Sequence, residues 1–402
     1  MLKLLIIADD STGALDSSIQ FASRGAPVRA YLHPPNEWDG AAEVLVINTD
    51  SRHLPAEKAW ELVHREVEHG RREGARILFK KIDSALRGNL GSELAAMLSS
   101  DGGEQLYLMP AYPAGGRTTY NGVQLWNGVP VAETVYGQDP FEPARHSRVA
   151  GAVALQTDLP IAEIPAGRPM PRKGTGIVVL DASSDGELRD RCRELLDNPA
   201  PLLLGGCAGA ASALAECLYP EEPCSPSLPP AEKLLVVSGS LHTVSRGQMA
   251  EGRAEGIPCH TLRIDFELAR GFAESEAGLR LAQETAAELE RHRVVLLETE
   301  QFSFSPGCEA GRRTAEAVDR ICREAGPVAL AVFGGDTLLE IAGLLRPGIR
   351  PCWEVVPGVP VSIAENREGN PIPLISKSGG FGPKDVISRI ASFLNINFRT
   401  QK

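Results

Sequence analysis

The chain has 402 residues, of which 43% are hydrophobic and 23% are charged, and its formal net charge is -11. This length predicts two or three domains, and the acidic balance argues against a general nucleic-acid binder, which needs basic patches to neutralise phosphates. The eight cysteines form no C-x-x-C pair. Neither a zinc site nor a disulfide framework is therefore predicted, and a cytoplasmic protein with reduced thiols is expected.

Short apolar runs alternate with helical patterns along the chain. The apolar start of the chain reaches two aspartates too soon for a signal peptide, so a buried strand is predicted there. No run of 18 apolar residues occurs, so no membrane-spanning helix is predicted. Strands are predicted at residues 4–8, 44–48, 77–82, 106–109, 177–180, 202–204, 234–237, 294–297 and 328–333, with helices between them that include residues 14–24 and 57–72. This alternation predicts an α/β fold of mainly parallel sheets flanked by helices.

A proline-rich stretch suggests where the domains divide. Residues 219–233 read YPEEPCSPSLPPAEK and contain five prolines, which make a stiff linker. We predict a first domain of residues 1–220, a linker of residues 221–232 and a second domain of residues 233–402. A second proline-rich segment, residues 155–174, is expected to be an irregular surface excursion of the first domain.

Two adjacent aspartates follow the first predicted strand and open a helix. The carboxyl ends of parallel strands are where α/β proteins place their ligands. Asp9 and Asp10 can there hold substrate hydroxyls, accept a proton or bind Mg²⁺. The alternative is that Asp10 simply caps the helix.

Residues 80–89, KKIDSALRGN, combine cations with hydrogen-bonding groups at the end of another strand. Strand alternation puts Lys81 and Asp83 on one face and Lys80 on the other. Arg87 follows in the turn, where its planar guanidinium suits a carboxylate. The segment indicates a site for a small polyhydroxy anion, the alternative being a surface ion pair of little energetic value.

Three glycine-rich turns occur in the second predicted domain, in segments 334–337, 357–360 and 377–382, and segment 237–240 ends a strand there. Backbone amides in such turns, and at the helix start after Gly335, suit a phosphate. Asp336 would repel a phosphate unless it holds Mg²⁺, ribose or water, or caps the helix. Together the turns indicate a nucleotide, although each alone is equally a structural turn.

The two sets of motifs predict a group-transfer enzyme with its active site in the cleft between two domains. The sequence contains neither G-x-x-x-x-G-K-[ST] nor G-x-S-x-G, which argues against a P-loop enzyme and a serine hydrolase. Two alternatives stay open. One is a non-catalytic sensor of nucleotide and sugar acid, and the other is a nicotinamide-dependent hydroxy-acid oxidoreductase, which the lack of G-x-G-x-x-G disfavours.

The order and spacing of these segments, over nearly the whole chain, resemble the four-carbon acid sugar kinase family, whose members phosphorylate D-threonate, D-erythronate or 3-oxo-tetronates. The resemblance implies an N-terminal acid-sugar-binding domain and a C-terminal nucleotide-binding domain that use ATP and Mg²⁺. For the sugar acid it implies Asp9, Asp10, Lys81, Asp83, Arg87, Asn89, Arg117 and Thr118. For ATP it implies Ser240, Gly334, Gly335, Asp336, Thr337, Gly358, Gly379 and Gly380.

The expected reaction is transfer of the ATP γ-phosphoryl group to the terminal 4-hydroxyl of a short sugar acid. Arg87, with Lys81 or Arg117, is expected to hold the carboxylate, and Asp10 is the preferred proton acceptor. Mg²⁺ and backbone amides are expected to neutralise the transferring group. The expected partners are the small sugar acid and ATP, without nucleic acid or membrane, and a homodimer is left open.

Overall fold

The computed structural model describes residues 2–35, 38, 40–99, 105–139, 142–171, 174–197, 201–220, 227–264, 275–301 and 307–397. The chain divides into two compact units, Met1–Cys224 and Ser225–Lys402. Residues 221–226, half of the predicted linker, lie outside the described residues. Each unit is an α/β structure with a mainly parallel sheet, so the predicted fold class is confirmed.

The first unit is built on an eight-stranded sheet in the order β2-β3-β1-β4-β11-β5-β10-β9, in which every pair is parallel. Its strands are β1 (Leu4–Ala8), β2 (Val28–Tyr31), β3 (Val44–Asn48), β4 (Ile77–Lys81), β5 (Gln105–Met109), β9 (Ile161–Ile164), β10 (Gly176–Leu180) and β11 (Leu202–Gly206). A small antiparallel sheet holds β6 (Arg117–Tyr120), β7 (Val123–Trp126) and β8 (Val129–Pro130). The helices are α1 (Ser11–Ala22), α2 (Ala56–Arg72), α3 (Leu90–Leu98), α4 (Val149–Val153), α5 (Asp185–Leu196) and α6 (Ala208–Leu218).

The central strands of this sheet form because helices cover both of their faces. All five residues of β1 are buried, and so are all five of β3 and of β4. A continuous apolar strand of this kind is stable only between two layers. The expectation of an irregular segment at 155–174 is wrong in part, because β9 pairs with β10 at the sheet edge. Its half-exposed sequence, IAEI, lacks the apolar run that marks a central strand.

The second unit is a seven-stranded sheet in the order β13-β14-β12-β15-β18-β17-β16, parallel except for the pairs β16–β17 and β17–β18. Its strands are β12 (Leu234–Ser238), β13 (Cys259–Ile264), β14 (Val294–Gln301), β15 (Ala329–Phe333), β16 (Arg350–Glu354), β17 (Pro360–Glu365) and β18 (Pro371–Lys377). Its helices are α7 (Thr243–Ala254), α8 (Glu276–His292), α9 (Gly307–Ala325), α10 (Gly335–Ala342) and α11 (Val386–Phe393). A core of its own packs around β12, β15 and β18.

Among the described helices, none is both long and apolar enough to cross a membrane.

Candidate active site

The carboxyl edge of the first sheet gathers the predicted polar residues. Strands β3, β1 and β4 are neighbours and run parallel, so the residues that follow them meet at one edge. Asp9 and Asp10 follow β1, Arg52 lies in the loop after β3, and Asp83 and Arg87 follow β4. Distant parts of the sequence therefore converge here.

Arg52 joins the two aspartates. Its Nε lies 2.7 Å from Asp9 Oδ2, and its two terminal nitrogens lie 3.0 Å and 2.9 Å from the Asp10 carboxylate. Burial alone would raise the pKa of Asp9, but Arg52 and two nearby lysines bring it below its usual value. Arg52 is not among the predicted site residues. The signal that points to it is its place four residues beyond a correctly predicted strand.

The Asp10 carboxylate is fully occupied. Oδ1 accepts the Gly13 amide at 3.0 Å and caps α1, and Oδ2 accepts the Thr12 hydroxyl at 2.8 Å. With the two Arg52 contacts, each oxygen has two donors. The capping role that the sequence left open is thus present. Gly13 leaves room for this carboxylate, because a Cβ there would lie 2.4 Å from Asp10 Oδ1, which its donors hold in place.

A buried network lies behind these residues. Lys80 is fully buried, and its Nζ lies 3.0 Å from Glu93 Oε2 of α3. The Ser51 hydroxyl donates to the other Glu93 oxygen and contacts the Thr49 hydroxyl at 2.7 Å. Burial raises the pKa of Glu93 despite Lys80. The network ties the ends of β3 and β4 to α3, so Lys80 has a supporting role.

Arg87 is held by two carboxylates. Its Nε and one terminal nitrogen lie 2.8 Å and 3.0 Å from the two Asp83 oxygens, and the other terminal nitrogen lies 2.9 Å from Asp139. Asp83 also accepts the backbone amides of Ala85 and Arg87. Burial would raise the pKa of Asp83, but Arg87 holds it far below its usual range. Asp83 therefore fixes the turn and the guanidinium of Arg87.

Three further predicted residues of the first unit, Asn89, Arg117 and Thr118, lie outside the two arginine–carboxylate clusters. The Asn89 amide donates to the carbonyls of Ser51 and Leu54 at 2.9 Å and 2.8 Å, so it supports the Arg52 loop. Arg117 lies buried in β6, donates to Gly115 O and to the Tyr136 hydroxyl, and leaves its Nε without a partner among the described residues. Thr118 is half-buried beside it.

The second unit brings its glycine-rich turns together at the corresponding edge. Strands β12, β15 and β18 are neighbours, and the Gly334 amide donates to Lys377 O at 3.0 Å. A Cβ at Gly239 would lie 2.2 Å from the Thr337 hydroxyl, and one at Gly379 would lie 2.9 Å from the Ser240 hydroxyl. These close approaches need glycine.

The outer turns complete this surface. Gly358 has φ +78°, and a Cβ there would lie 2.3 Å from the Phe381 ring. Gly335 opens α10, and Asp336 is exposed in its first turn. Exposed backbone at a helix start and in glycine turns fits the phosphates of a nucleotide.

Known proteins are similar to this chain over nearly all of its length. The family model described as a sugar-binding N-terminal domain matches residues 4–214, and the nucleotide-binding C-terminal domain matches residues 235–387. A D-threonate kinase of Salmonella typhimurium is 32% identical, over 96% of this chain and 97% of that protein. A D-erythronate kinase of Heliobacterium modesticaldum is 26% identical, over 98% and 97%.

The chain belongs to the four-carbon acid sugar kinase family. Members of this family are phosphotransferases with an alcohol group as acceptor, and this kinase carries their two domains. A solved structure from Salmonella typhimurium LT2 shares the fold, with a TM-score of 0.79 and 23% identity over 97% of this chain and 99% of that one.

One further carboxylate of the kinase is not among the predicted residues. Asp16 lies half-buried in α1, and burial raises its pKa to about 6, against the lowering effect of Lys81. Among the described residues its carboxylate makes no hydrogen bond and no ion pair. It therefore differs from Asp10 and Asp83, whose oxygens are occupied.

The described residues of the kinase contain no group of three or more His, Cys, Asp or Glu side chains placed to hold a metal ion. The Mg²⁺ implied by the family resemblance therefore has no preformed protein cage in this part of the chain. Mg²⁺ is commonly held by one or two carboxylates together with substrate phosphates, which suits a cation that arrives with a nucleotide.

Proposed function

We propose that this kinase transfers the γ-phosphoryl group of ATP to the terminal 4-hydroxyl of a four-carbon sugar acid such as D-threonate or D-erythronate. The observation that carries the proposal is a buried acceptor beside the cations of the first unit. Asp9 Oδ1 is buried and has no hydrogen-bond partner among the described residues, while Arg52 holds Oδ2. A buried acceptor without a donor is costly, and a substrate hydroxyl would satisfy it.

We propose that three cations of the first unit, Lys81, Arg87 and Arg117, hold the carboxylate of the acid. Lys81 is buried and its Nζ donates to Ile82 O at 2.8 Å, and Arg87 and Arg117 are held by their partners, so all three are preorganised. A polyhydroxy acid needs acceptors for its hydroxyls as well as cations for its carboxylate, and this edge offers both. Asp83 and Asn89 would act by positioning Arg87 and the Arg52 loop.

We propose that ATP binds the glycine-rich turns of the second unit through Ser240, Gly334, Gly335, Asp336, Thr337, Gly358, Gly379 and Gly380. Mg²⁺ would neutralise charge on the phosphates, and Asp336 is an exposed carboxylate in the first turn of α10 that could help to hold it. The cleft between the units, the cytoplasmic location and the homodimer stay predictions.

The test of this function is ADP release from Mg·ATP with D-threonate, D-erythronate, L-threonate, L-erythronate and a 3-oxo-tetronate, beside a blank without acceptor. We expect turnover well above the blank with one tetronate, and ³¹P NMR of its product would identify the 4-phosphate. If the protein binds ATP but none of the acids gives ADP release above the blank, the non-catalytic sensor of nucleotide and sugar acid would be favoured. A change in NADH fluorescence on adding the protein would instead revive the oxidoreductase.

We propose Asp16, in place of Asp10, as the acceptor of the hydroxyl proton. The Asp10 oxygens already have four donors, whereas the Asp16 carboxylate has no hydrogen-bond or ion-pair partner among the described residues and has a pKa of about 6. A base must be ionised, so kcat should fall as the pH drops through about 6. Lys81, Asp10 and Arg117 are the charged groups that set this value.

Asp16→Asn should lower kcat by roughly 10²–10⁴-fold and remove the acidic limb of the pH profile. Asp10→Asn is the matched control, since asparagine also caps helices and should mainly raise KM for the sugar acid. MgADP affinity should stay near normal in both. If Asp10→Asn abolished kcat while Asp16→Asn kept both kcat and the acidic limb, the proton would belong to Asp10.

A further inference from the structure

A buried cation lies directly beneath the glycine-rich turn of the second unit. Lys377 ends β18 with 1% of its surface exposed, and its Nζ lies 4.7 Å from the centre of the Phe333 ring. Among the described residues no carboxylate lies within ion-pair distance of it. A buried charge normally has a charged partner, so the counter-charge of Lys377 must be supplied in another way.

The Nζ group is surrounded by neutral oxygens. It donates to the Ser245 hydroxyl at 2.9 Å and to the carbonyls of Ser378 and Gly379 at 2.9 Å and 3.2 Å. The Ser245 hydroxyl in turn donates to Gly379 O at 2.9 Å. Two successive carbonyls of the turn are therefore drawn inward to one lysine.

The direction of these carbonyls decides the direction of the next two amides. In a planar trans peptide the N–H points opposite to the C=O. With the carbonyls of Ser378 and Gly379 turned toward Lys377, the amides of Gly379 and Gly380 are turned away from it. Neither amide donates a hydrogen bond to any other described residue, and Gly380 is exposed. Successive outward amides of this kind form an anion-binding concavity.

We propose that Lys377 is a positioning residue of the nucleotide site, which aims the Gly379 and Gly380 amides at a phosphate and has that phosphate as its counter-charge. This inference rests on the proposed use of ATP. Lys377 does not itself need to touch the nucleotide, because its donors are occupied. It acts through the turn and through its charge.

The protonation of Lys377 should therefore be linked to nucleotide binding. Burial lowers its pKa to about 8, so part of the free protein carries a neutral lysine at mildly alkaline pH. A bound phosphate favours the charged form, so binding should take up protons there. Other charged or titratable groups described near this turn are His242, whose pKa is lowered by burial and by Lys377, and the exposed Asp336. Further along the chain, Lys384 pairs with Glu251 and Asp385 pairs with Arg389.

The test is calorimetric titration of the full chain with MgADP, without sugar acid, in two buffers of different ionisation enthalpy just above the pKa of Lys377. We expect proton uptake by the unmodified protein. Lys377→Met should bind MgADP at least about tenfold more weakly, since each unit of pKa linkage corresponds to about tenfold in affinity, and should lose the uptake. KM for ATP should rise with KM for the acid unchanged.

Two further variants make the test decisive. Lys384→Met is the matched control, because it removes an exposed cation close to the same turn and should change neither affinity nor uptake. Ser245→Ala keeps the lysine but removes the hydroxyl that bridges Lys377 Nζ and Gly379 O. It should therefore weaken MgADP binding less than Lys377→Met and keep the proton uptake. If Lys377→Met does not fold, the comparison of Ser245→Ala with the unmodified protein tests the inference. The inference about Lys377 would be overturned, with the proposed use of ATP left intact, by either of two results. One is unchanged MgADP affinity in both Lys377→Met and Ser245→Ala, and the other is unchanged proton uptake in Lys377→Met. Failure of the unmodified protein to bind MgADP would overturn the use of ATP as well.

Discussion

Arg52→Lys is expected to lower kcat/KM for the sugar acid by roughly 10²–10³-fold, because a lysine cannot replace a guanidinium that engages two carboxylates. Arg52 spreads three nitrogens over Asp9 and Asp10. The single ammonium group of a lysine would pair with one of these carboxylates and leave the other without its cationic partner. The measurement is steady-state ADP release against the tetronate that gives turnover.

The matched control is Arg65→Lys, since Arg65 pairs through Nε with Glu66 at 3.0 Å but is 58% exposed on α2. That variant should keep the kinetic constants of the unmodified enzyme. MgADP affinity should be unchanged in both variants, because the glycine-rich turns proposed to bind the nucleotide belong to the second unit. An Arg52→Lys enzyme with unchanged kcat/KM would show that the guanidinium fork is not needed for the acceptor.

Lys80→Met is expected to lower the free energy of unfolding of the first unit by about 3–5 kcal/mol, the usual cost of leaving one member of a buried ion pair uncompensated. Lys80 is fully buried, and Glu93 Oε2 lies 3.0 Å from its Nζ. Urea unfolding followed by tryptophan fluorescence at neutral pH would measure the loss.

The pH dependence separates a charge effect from a packing effect. Burial raises the pKa of Glu93, and loss of Lys80 raises it further. When the pKa of a carboxyl group is higher in the folded state than in the unfolded state, the free energy of unfolding falls as the pH rises from the lower pKa through the higher one. The destabilisation caused by Lys80→Met should therefore become smaller toward acidic pH.

Two further variants test the same pair. Replacing both Lys80 and Glu93 by methionine should recover much of the loss, since no buried charge is then left alone. Lys58→Met breaks an exposed pair with Glu61 and should cost less than about 1 kcal/mol. A Lys80→Met defect of that same small size would show that the buried pair contributes little to stability.

The strands that could be predicted from the sequence are the ones buried on both faces. For β1 and β3 the predicted bounds agree with the structure, because an uninterrupted apolar run has no other stable place. The sequence does not predict the edge strands β2 and β9, because each has only four residues, VRAY and IAEI, and a charged residue interrupts the apolar run. Strand β18 begins PIP, and prolines argue against a strand even where, as here, it pairs on both sides.

The site could be predicted only in part, for a related reason. Motifs show which segments carry polar groups, and the order of the strands brings those segments to one edge. Which side chain contacts which depends on loops between distant segments. Asn89 supports the Arg52 loop across 35 to 38 residues of sequence, and Lys80 finds its partner only once α3 packs on β4. The local sequence contains no sign of either contact.

Both sheets are wound in the same way. In the first unit the chain goes from β1 outward to β2, returns to β3 beside β1, and crosses to β4 on the other side; in the second it does the same from β12 through β13 and β14 to β15. The connection after β1 runs to one side of the sheet and the connection after its neighbour β4 runs to the other, and β12 and β15 repeat this arrangement. A reversal of this kind between adjacent parallel strands leaves room for a ligand at their carboxyl ends. The sites proposed for the sugar acid and for the nucleotide both lie after the first strand of their unit, where this reversal occurs. Substitutions in the segments after those strands can change which acid or nucleotide is accepted while the position of the ligand stays the same.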